Sequence, residues 1–415
     1  MDKLSHQCYD WAQNIAREAT NQEMRHLELQ QHLKNIITTE GSMTFRDFME
    51  LTLYHPDYGY YTAERSPLGP EGDFITSPEV SPLFGQLLAR QIEEMWRHLD
   101  CPTPFSIIEL GPGRGLMAHS ILTALASTDL SNHLIYHLIE VSPQRRLEQK
   151  ALLSELSTYS SYEDPAGMER GTYGWITAEQ LPNKLQGLVL SNEFFDALPV
   201  HRLVYKDGKL QELYVALHDD NFAWQSGPIS TTVVTDWADK HIWQRHITLE
   251  EGQIIEINPT MEDWVSFIDD HLQRGFVLTI DYGHPAEVLY HPSRFEGTLM
   301  TYYRHQANND PFTHIGLKDL TTHIDFTALS TLGEERLWQT LGLTNQMWFL
   351  ISLLDPEEIK PKATMTVADF RRQQQLKKLI QPLGMGETFR IMIQSKGLKA
   401  LHLLGLREQS GKSRS

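Results

Sequence analysis

The run Ile107-Ile108-Glu109-Leu110-Gly111-Pro112-Gly113-Arg114-Gly115 limits what this chain can fold into more than any other stretch. An apolar strand pattern passes into a glycine-rich turn and then into the helical pattern LMAHSILTAL. Glycines at such a turn let the backbone approach a ligand where a Cβ would clash. The spacing is G-x-G-x-G, with the third glycine one position earlier than in the dinucleotide fingerprint G-x-G-x-x-G, whose pyrophosphate sits over a helix N-terminus. Glu109 precedes the turn. A carboxylate there is poorly placed against a pyrophosphate, but it can accept from a ligand ammonium or organise water around it.

The next apolar strand, LIYHLIEV, ends at Glu140, 25 positions after Gly115. An acid at that strand end can accept hydrogen bonds from two ribose hydroxyls. Taken singly, a tight strand-to-helix connection and a surface carboxylate would explain these features. Together they favour a nucleoside ligand with a cationic amino-acid end, S-adenosylmethionine. The rival reading, an NAD-dependent oxidoreductase, predicts the third glycine one position later.

The rest of the chain fits around this unit. SIIEL, LIYHLIEV, LQGLVLSNEF and GFVLTIDYG read as strands, separated by helical patterns such as PQRRLEQKALLSEL, which implies a parallel sheet with crossover helices. Residues 2–40 read as polar helix, and Thr44 opens a second helix, FRDFMELTLY. His55–Phe84 is rich in turn formers and reads as an ordered loop. Gln86–Leu99 reads as an amphipathic helix. From Val200 to Ile257 short alternating runs and the hairpin signal Lys206-Asp207-Gly208 suggest an antiparallel insertion. The uncharged stretch Leu337–Leu354 contains Gln339, Thr340, Asn345 and Gln346, and reads as a buried helix rather than a membrane span. A late helix, Phe370–Ile380, precedes a last strand, FRIMIQSKG, and the tail 407–415 is expected to be disordered.

The 415 residues suggest one large domain with additions, or two domains. Lys+Arg number 36 against 54 Asp+Glu, net -18. That balance disfavours nucleic-acid binding, which needs a basic face. It suits a cationic substrate, or simply a soluble acidic enzyme. Cys8 and Cys101 form no CxxC pair, and no HxH or HExxH spacing appears, so no metal is expected. The N-terminus shows no secretory apolar region, and Asp2, Asp10 and Glu18 argue against a mitochondrial presequence, so a cytoplasmic protein is expected.

A third element carries the chemistry: Leu188-Val189-Leu190-Ser191-Asn192-Glu193-Phe194-Phe195-Asp196-Ala197-Leu198-Pro199. Ligands of open α/β sheets bind outside the carboxyl ends of the strands, which would set Asn192, Glu193 and Asp196 against the transferred methyl. Carboxylates there could clamp a guanidinium, a planar fork of donors that keeps its charge. Asp196 could instead cap the following turn. Asp281, at the end of GFVLTI, either faces the same cleft or caps its own loop.

At these residues the chain resembles the MidA-like class I methyltransferases, relatives of a mitochondrial complex I assembly factor that methylates an arginine on a respiratory-chain subunit. The resemblance runs from Leu29 to Lys396 through FMELTLYHPDYGYYT, GDFITSPEVSPLFG, ELGPGRG, IEVSP, NEFFDALPV, DYG and THIDFTAL, in the family's order. It implies an α/β, Rossmann-like class I methyltransferase core with a mostly parallel seven-stranded sheet, an N-terminal helical segment and an α+β insertion. The expected layout is an N-terminal segment and donor-covering loop over 1–85 and a core over 86–400. That core would carry an antiparallel insertion at about 200–257 and a substrate-side insertion at about 285–365.

The resemblance implies a donor site of Glu109, Gly111, Gly113, Gly115 and Glu140, closed over by Gly72, Asp73, Thr76 and Ser77. Asn192, Glu193 and Asp196 would be catalytic, with Asp281, His323 and Asp325 on the substrate side. It implies a protein substrate, a respiratory-complex subunit or its homologue, methylated on arginine. A non-catalytic assembly factor that keeps the nucleoside site is the alternative within this fold. The chain departs from the family at residues 1–26, which precede its usual start. It also departs at Tyr302-Tyr303-Arg304-His305, which lacks a glycine that many members carry between the arginine and the histidine.

Overall fold

The protein is described from a computed structural model that covers residues 23–62, 76–355, 358, 365–382, 384–399 and 401–407. Its centre is a mixed sheet of nine strands: β1 (Phe105–Leu110), β2 (Leu134–Ile139), β3 (Ser160–Tyr162), β4 (Thr172–Trp175), β5 (Leu185–Asn192), β6 (Leu272–His284), β7 (Ile324–Asp325), β8 (Gln339–Asn345) and β9 (Phe389–Lys396). Across the sheet the order is β8-β9-β6-β5-β1-β2-β4-β3, and β7 pairs with the carboxyl end of β6. From β6 to β3 all neighbours are parallel, whereas β9 runs antiparallel between β6 and β8. The seven strands expected from the sequence are therefore nine. β3 has three residues and β7 two, too few to display a period.

Parallel strands covered on both faces need side chains that are apolar on both, and every residue of β1 and β2 is buried. Their alternation feeds two cores. Ile107, Leu188 and Leu190 pack with helices α2 (Leu83–His98) and α3 (Leu116–Leu125). Ile108, Val189 and Val277 pack on the opposite face with α5 (Thr260–His271) and α6 (Phe326–Glu334). Helix α4 (Pro143–Leu153) follows β2.

A third core lies beyond the sheet. A helix through 23–40 supplies Leu29, Leu33 and Ile37, and α1 (Phe45–Tyr54) supplies Phe45, Phe48 and Leu53; these pack on Val215, Ile315 and Leu320. Thr44 starts α1 as the sequence suggests, its Oγ1 accepting from the Asp47 N–H at 3.1 Å. The stretch after Val200 forms an antiparallel sheet of His201–Lys206, Lys209–His218, Asn221–Gly227 and Ile254–Ile257, which Met43–Thr44 joins. Its first hairpin turns at Asp207 and Gly208, with φ of 52° and 75°.

Two expectations change. The stretch Leu337–Leu354 is not one helix: it divides into β8 and α7 (Gln346–Leu353), and the Asn345 side chain caps α7 by accepting from Trp348 N–H at 2.9 Å. An N-cap residue inside an apolar run marks such a break. The stretch 285–365 is also divided. A small sheet of Met300–Tyr303, Gln306–Asn308 and Asp319–Thr321 stands outside the main sheet, while β7, α6, β8 and α7 belong with it. Arg304 and His305 turn the small hairpin with φ of 49° and 61°, in the left-handed region that glycine enters most easily. The tail 408–415 and residues 1–22 lie outside the described residues.

Ser106, Gly187 and Gly275 face one another across β1, β5 and β6. A Cβ on Gly187 would overlap the Ser106 carbonyl oxygen, and one on Gly275 would overlap that of Gly187. Gly187→Ala is expected to cost on the order of 3 kcal/mol, seen as a lower urea midpoint with unchanged slope. An unchanged midpoint would mean the strands part without cost.

Candidate active site at the carboxyl ends of the strands

Three strand ends, β1, β2 and β5, open onto one cavity of about 550 Å³. Its volume is that of a small-molecule site. After β1 the chain turns through Gly111, Gly113 and Gly115, all at positive φ (62°, 54° and 81°), before α3 begins. The turn is wedged: a Cβ on Gly111 would come within 2.9 Å of the Phe194 ring, and one on Gly115 within 3.1 Å of Gln149. Gln149 is fully buried and holds two parts of the site together. Its Nε2 donates to the Gly113 carbonyl (2.6 Å) and to Glu140 Oε2 (3.2 Å), while Trp175 Nε1 donates to its Oε1 (2.7 Å). Glu140 Oε1 accepts from the Ser142 N–H at 2.8 Å. Glu109 is buried at the end of β1, with Oε2 accepting from the Tyr136 hydroxyl at 2.7 Å.

The turn after β5 is built differently. Glu193 sits at φ 52°, rare for a residue with a long side chain, and its N–H donates to the Ile280 carbonyl. Asn192 Nδ2 donates to Glu193 Oε1 at 2.9 Å. Asn192 Oδ1 is buried with no partner among the described residues, and so is Asp196 Oδ1.

Of the residues singled out in the sequence, Thr76, Glu109, Gly111, Gly113, Glu140, Asn192 and Glu193 line this one cavity. Gly115 lies just behind it, at the start of α3 against Gln149. Ser77 is buried and donates to Gln346 Oε1 at 2.8 Å, outside the lining. Gly72 and Asp73, with the expected closing of the loop over the donor, fall outside the described residues. Asp196 is buried beneath the turn, away from the lining.

Asp281 does not reach the cavity. Its Oδ2 accepts from Phe194 N–H (3.3 Å) and Phe195 N–H (2.9 Å), and its Oδ1 from Tyr282 N–H (2.8 Å). His323 and Asp325 also stand apart, lining a water-sized void of about 10 Å³ behind the turn. Asp325 Oδ1 caps α6, accepting from Thr327 and Ala328 N–H at 2.9 Å each. Their segment meets the turn where Thr322 N–H donates to the Asp196 carbonyl at 3.1 Å.

Other lining residues escaped the sequence reading. Arg46, Glu50 and Tyr54 form one polar face of α1 at i, i+4, i+8, a spacing that could have marked them. Tyr61, beyond α1, lines the cavity too. Arg114 pairs with Glu79 at 3.3 Å, and Trp264 of α5 stands edge-on to Phe194. Val141, three-quarters exposed beside Glu140, had no signal at all.

The acids crowd one another. Burial, reinforced by Asp281 and Asp319, holds the Glu193 carboxyl well above its usual range. Burial raises Asp196 likewise, with Asp281 and Glu193 adding. Burial pushes Glu109 to about 7 against the hydrogen bond from Tyr136. It pushes Asp281 to about 7 against its backbone donors. Glu140 is raised by burial, opposed by Ser142 and Gln149. Such a group of acids is relieved by a bound cation.

Comparison with known proteins agrees with this geometry. Residues 87–344 match the family of S-adenosyl-L-methionine-dependent methyltransferases. A Drosophila melanogaster protein named as a mitochondrial protein arginine methyltransferase, NDUFAF7 homolog, is 29% identical over 394 residues, covering 92% of this chain and 88% of its own. The human mitochondrial protein arginine methyltransferase NDUFAF7 is 28% identical, over 86% of this chain and 81% of its own. A Burkholderia thailandensis protein solved with S-adenosyl-homocysteine bound superposes with TM-score 0.77 at 28% identity, over 92% of this chain and 95% of its own. Nothing in these relatives favours an oxidoreductase. They overturn the expected cytoplasmic location, since the eukaryotic relatives are named as mitochondrial proteins. Among the described residues no helix is long and apolar enough to cross a membrane. The chain belongs to this family of S-adenosylmethionine-dependent methyltransferases.

Proposed function

We propose that this chain methylates an arginine side chain of a protein substrate. The observation that carries the reading is the single cavity lined both by the Gly111–Gly113 turn and Glu140 and by Asn192 and Glu193. The relatives named as protein arginine methyltransferases support the choice of arginine. On this reading β4, β2, β1, β5, β6, β9 and β8 make up the seven-stranded class I core, and β3 and β7 are additions.

The donor set suits S-adenosylmethionine. Both Glu140 oxygens already accept from Ser142 and Gln149, which orients the carboxylate and leaves lone pairs for two ribose hydroxyls. Val141 offers apolar surface for the purine. The glycine turn leaves room for the amino-acid end, and Glu109 can accept from its ammonium, directly or through water. Thr76 closes the near wall, with Gly72, Asp73 and Ser77 assigned to the same covering segment by family resemblance. Bound S-adenosylmethionine supplies a methyl group on a positively charged sulfur.

The chain's own residues do the rest. Glu193 accepts from two guanidinium N–H groups, and Asn192 Oδ1 accepts a third. Held in this way, one nitrogen can be aligned with the methyl, and most of the gain is positioning and electrostatics. The nitrogen that takes the methyl gives up a proton, and Glu193 receives it. Asp196 and Asp281 act from behind: Asp281 fixes the turn, and the Asp196 charge helps keep Glu193 basic. His323 and Asp325 support that turn from the far side rather than touch substrate. An intact set of acids weighs against a non-catalytic assembly role.

Glu193→Gln is expected to lower kcat about a hundredfold or more while S-adenosylhomocysteine binds within twofold; unchanged transfer of labelled methyl would sink the catalytic role. In the wild type kcat/KM should rise with pH through an inflection above the ordinary carboxylate range, because the base must be ionised. Glu140→Ala should weaken S-adenosylmethionine binding roughly thirtyfold, the loss of charge-assisted bonds to two hydroxyls, read by calorimetry. Glu109 gives a stability test. Its folded value of about 7 lies above the unfolded 4.5, so the folded protein binds the extra proton and its stability is present at low pH. Between pH 4.5 and 7 the ligand-free protein should lose up to about 3 kcal/mol from this group, and Glu109→Gln should flatten that part of the melting curve against pH.

A further inference from the structure

Tyr61 lines the cavity, and its hydroxyl donates to Asp319 Oδ1 at 2.8 Å. The Leu320 N–H also donates to that oxygen, at 2.9 Å, so the oxygen is an acceptor and the phenolic proton points at it. Tyr54, stacked beside Tyr61 with ring centroids 5.5 Å apart, lines the cavity too, and its hydroxyl donates to the Ala197 carbonyl at 2.9 Å. A phenol has one proton to give. With both protons spent inward, each hydroxyl can only accept from anything in the cavity. Asn192 is arranged likewise: its amide donates to Glu193, leaving the buried Oδ1 unpartnered among the described residues. The Tyr54 and Tyr61 hydroxyls and Asn192 Oδ1 are therefore set to receive hydrogen bonds rather than to give them. A guanidinium only gives them, and unlike an ammonium or an indole it offers five N–H donors in one plane, enough to serve several such acceptors at once.

We propose that Tyr61 is a substrate-contact residue that accepts a hydrogen bond from the substrate guanidinium, and that Asp319 is a positioning residue that sets the direction of the Tyr61 hydroxyl. This rests on the arginine reading above. Asp319 lies on the small outer sheet and Tyr61 just after α1, so the two additions to the core meet to shape the substrate end of the cavity. Asp319 itself is buried and outside the lining, so its effect passes through the phenol.

The test is calorimetric titration of ethylguanidine into protein saturated with S-adenosylhomocysteine. Tyr61→Phe removes one oxygen and keeps the ring, and should weaken ethylguanidine about tenfold while S-adenosylhomocysteine binding stays within twofold. Asp319→Ala should weaken it at least as much. Without the carboxylate the phenol loses its inward acceptor, and its proton can turn into the cavity against the cation; a packing role for Asp319 predicts no such loss in a variant that keeps its cofactor affinity. Should Asp319→Ala fail to fold, Tyr61→Phe decides alone. Ethylguanidine bound as tightly by Tyr61→Phe as by wild type overturns the inference and leaves the arginine reading standing. No binding of ethylguanidine to wild type, or labelled methyl found by mass spectrometry on a residue other than arginine, overturns both.

Discussion

The buried carboxylate of Asp281 holds the site in shape. It accepts three backbone N–H groups, from Phe194, Phe195 and Tyr282, and so ties the turn after β5 to the end of β6. Removing the carboxylate would leave those donors unpaired in the interior, which costs about 1–3 kcal/mol each. The tie matters because the turn is strained: Glu193 stands at a positive φ, a conformation that needs its surroundings to enforce it. Asp281 gives up a place in the cavity in order to supply that enforcement.

The arrangement then concentrates negative charge where water is scarce. Glu193, Asp196, Asp281 and Asp319 influence one another, and burial lifts the first three above their usual ranges. Acids so placed hold protons in the empty site and release them when a cation arrives. The methyl donor of this family carries a positive charge, which such a group of acids suits. The hydrogen-bond chain Trp175–Gln149–Glu140 does comparable work at the other end, fixing an acid without using all its lone pairs.

Additions to the sheet decide how the cavity is closed. Residues Arg46, Glu50 and Tyr54 of α1 and Tyr61 after it bring the N-terminal segment to the cavity. The small outer sheet brings Asp319 behind Tyr61. One cavity at the strand ends is thus walled by elements far apart in the chain.

Much of this was legible in the sequence. The strand–glycine turn–helix run and the acids at the ends of β1, β2 and β5 announce themselves because strand ends and turns are local, and local patterns survive in one dimension. Thr44 as a helix cap and the Asp207-Gly208 hairpin were readable for the same reason. What the sequence could not decide was which of several acids face the cavity. Asp281, His323 and Asp325 have the right residue types beside the right strands, yet Asp281 turns to backbone N–H groups and the other two line a separate void. Gln149 and Asp319 fall in no motif, and FMELTLYHPDYGYYT gives Tyr61 no partner, since these residues meet groups 36 and 258 positions away. The sequence by itself determined the core and its ligand class through short-range patterns of burial and turn chemistry. Only the tertiary structure decided which polar groups meet, because hydrogen bonds between distant segments depend on how the layers pack.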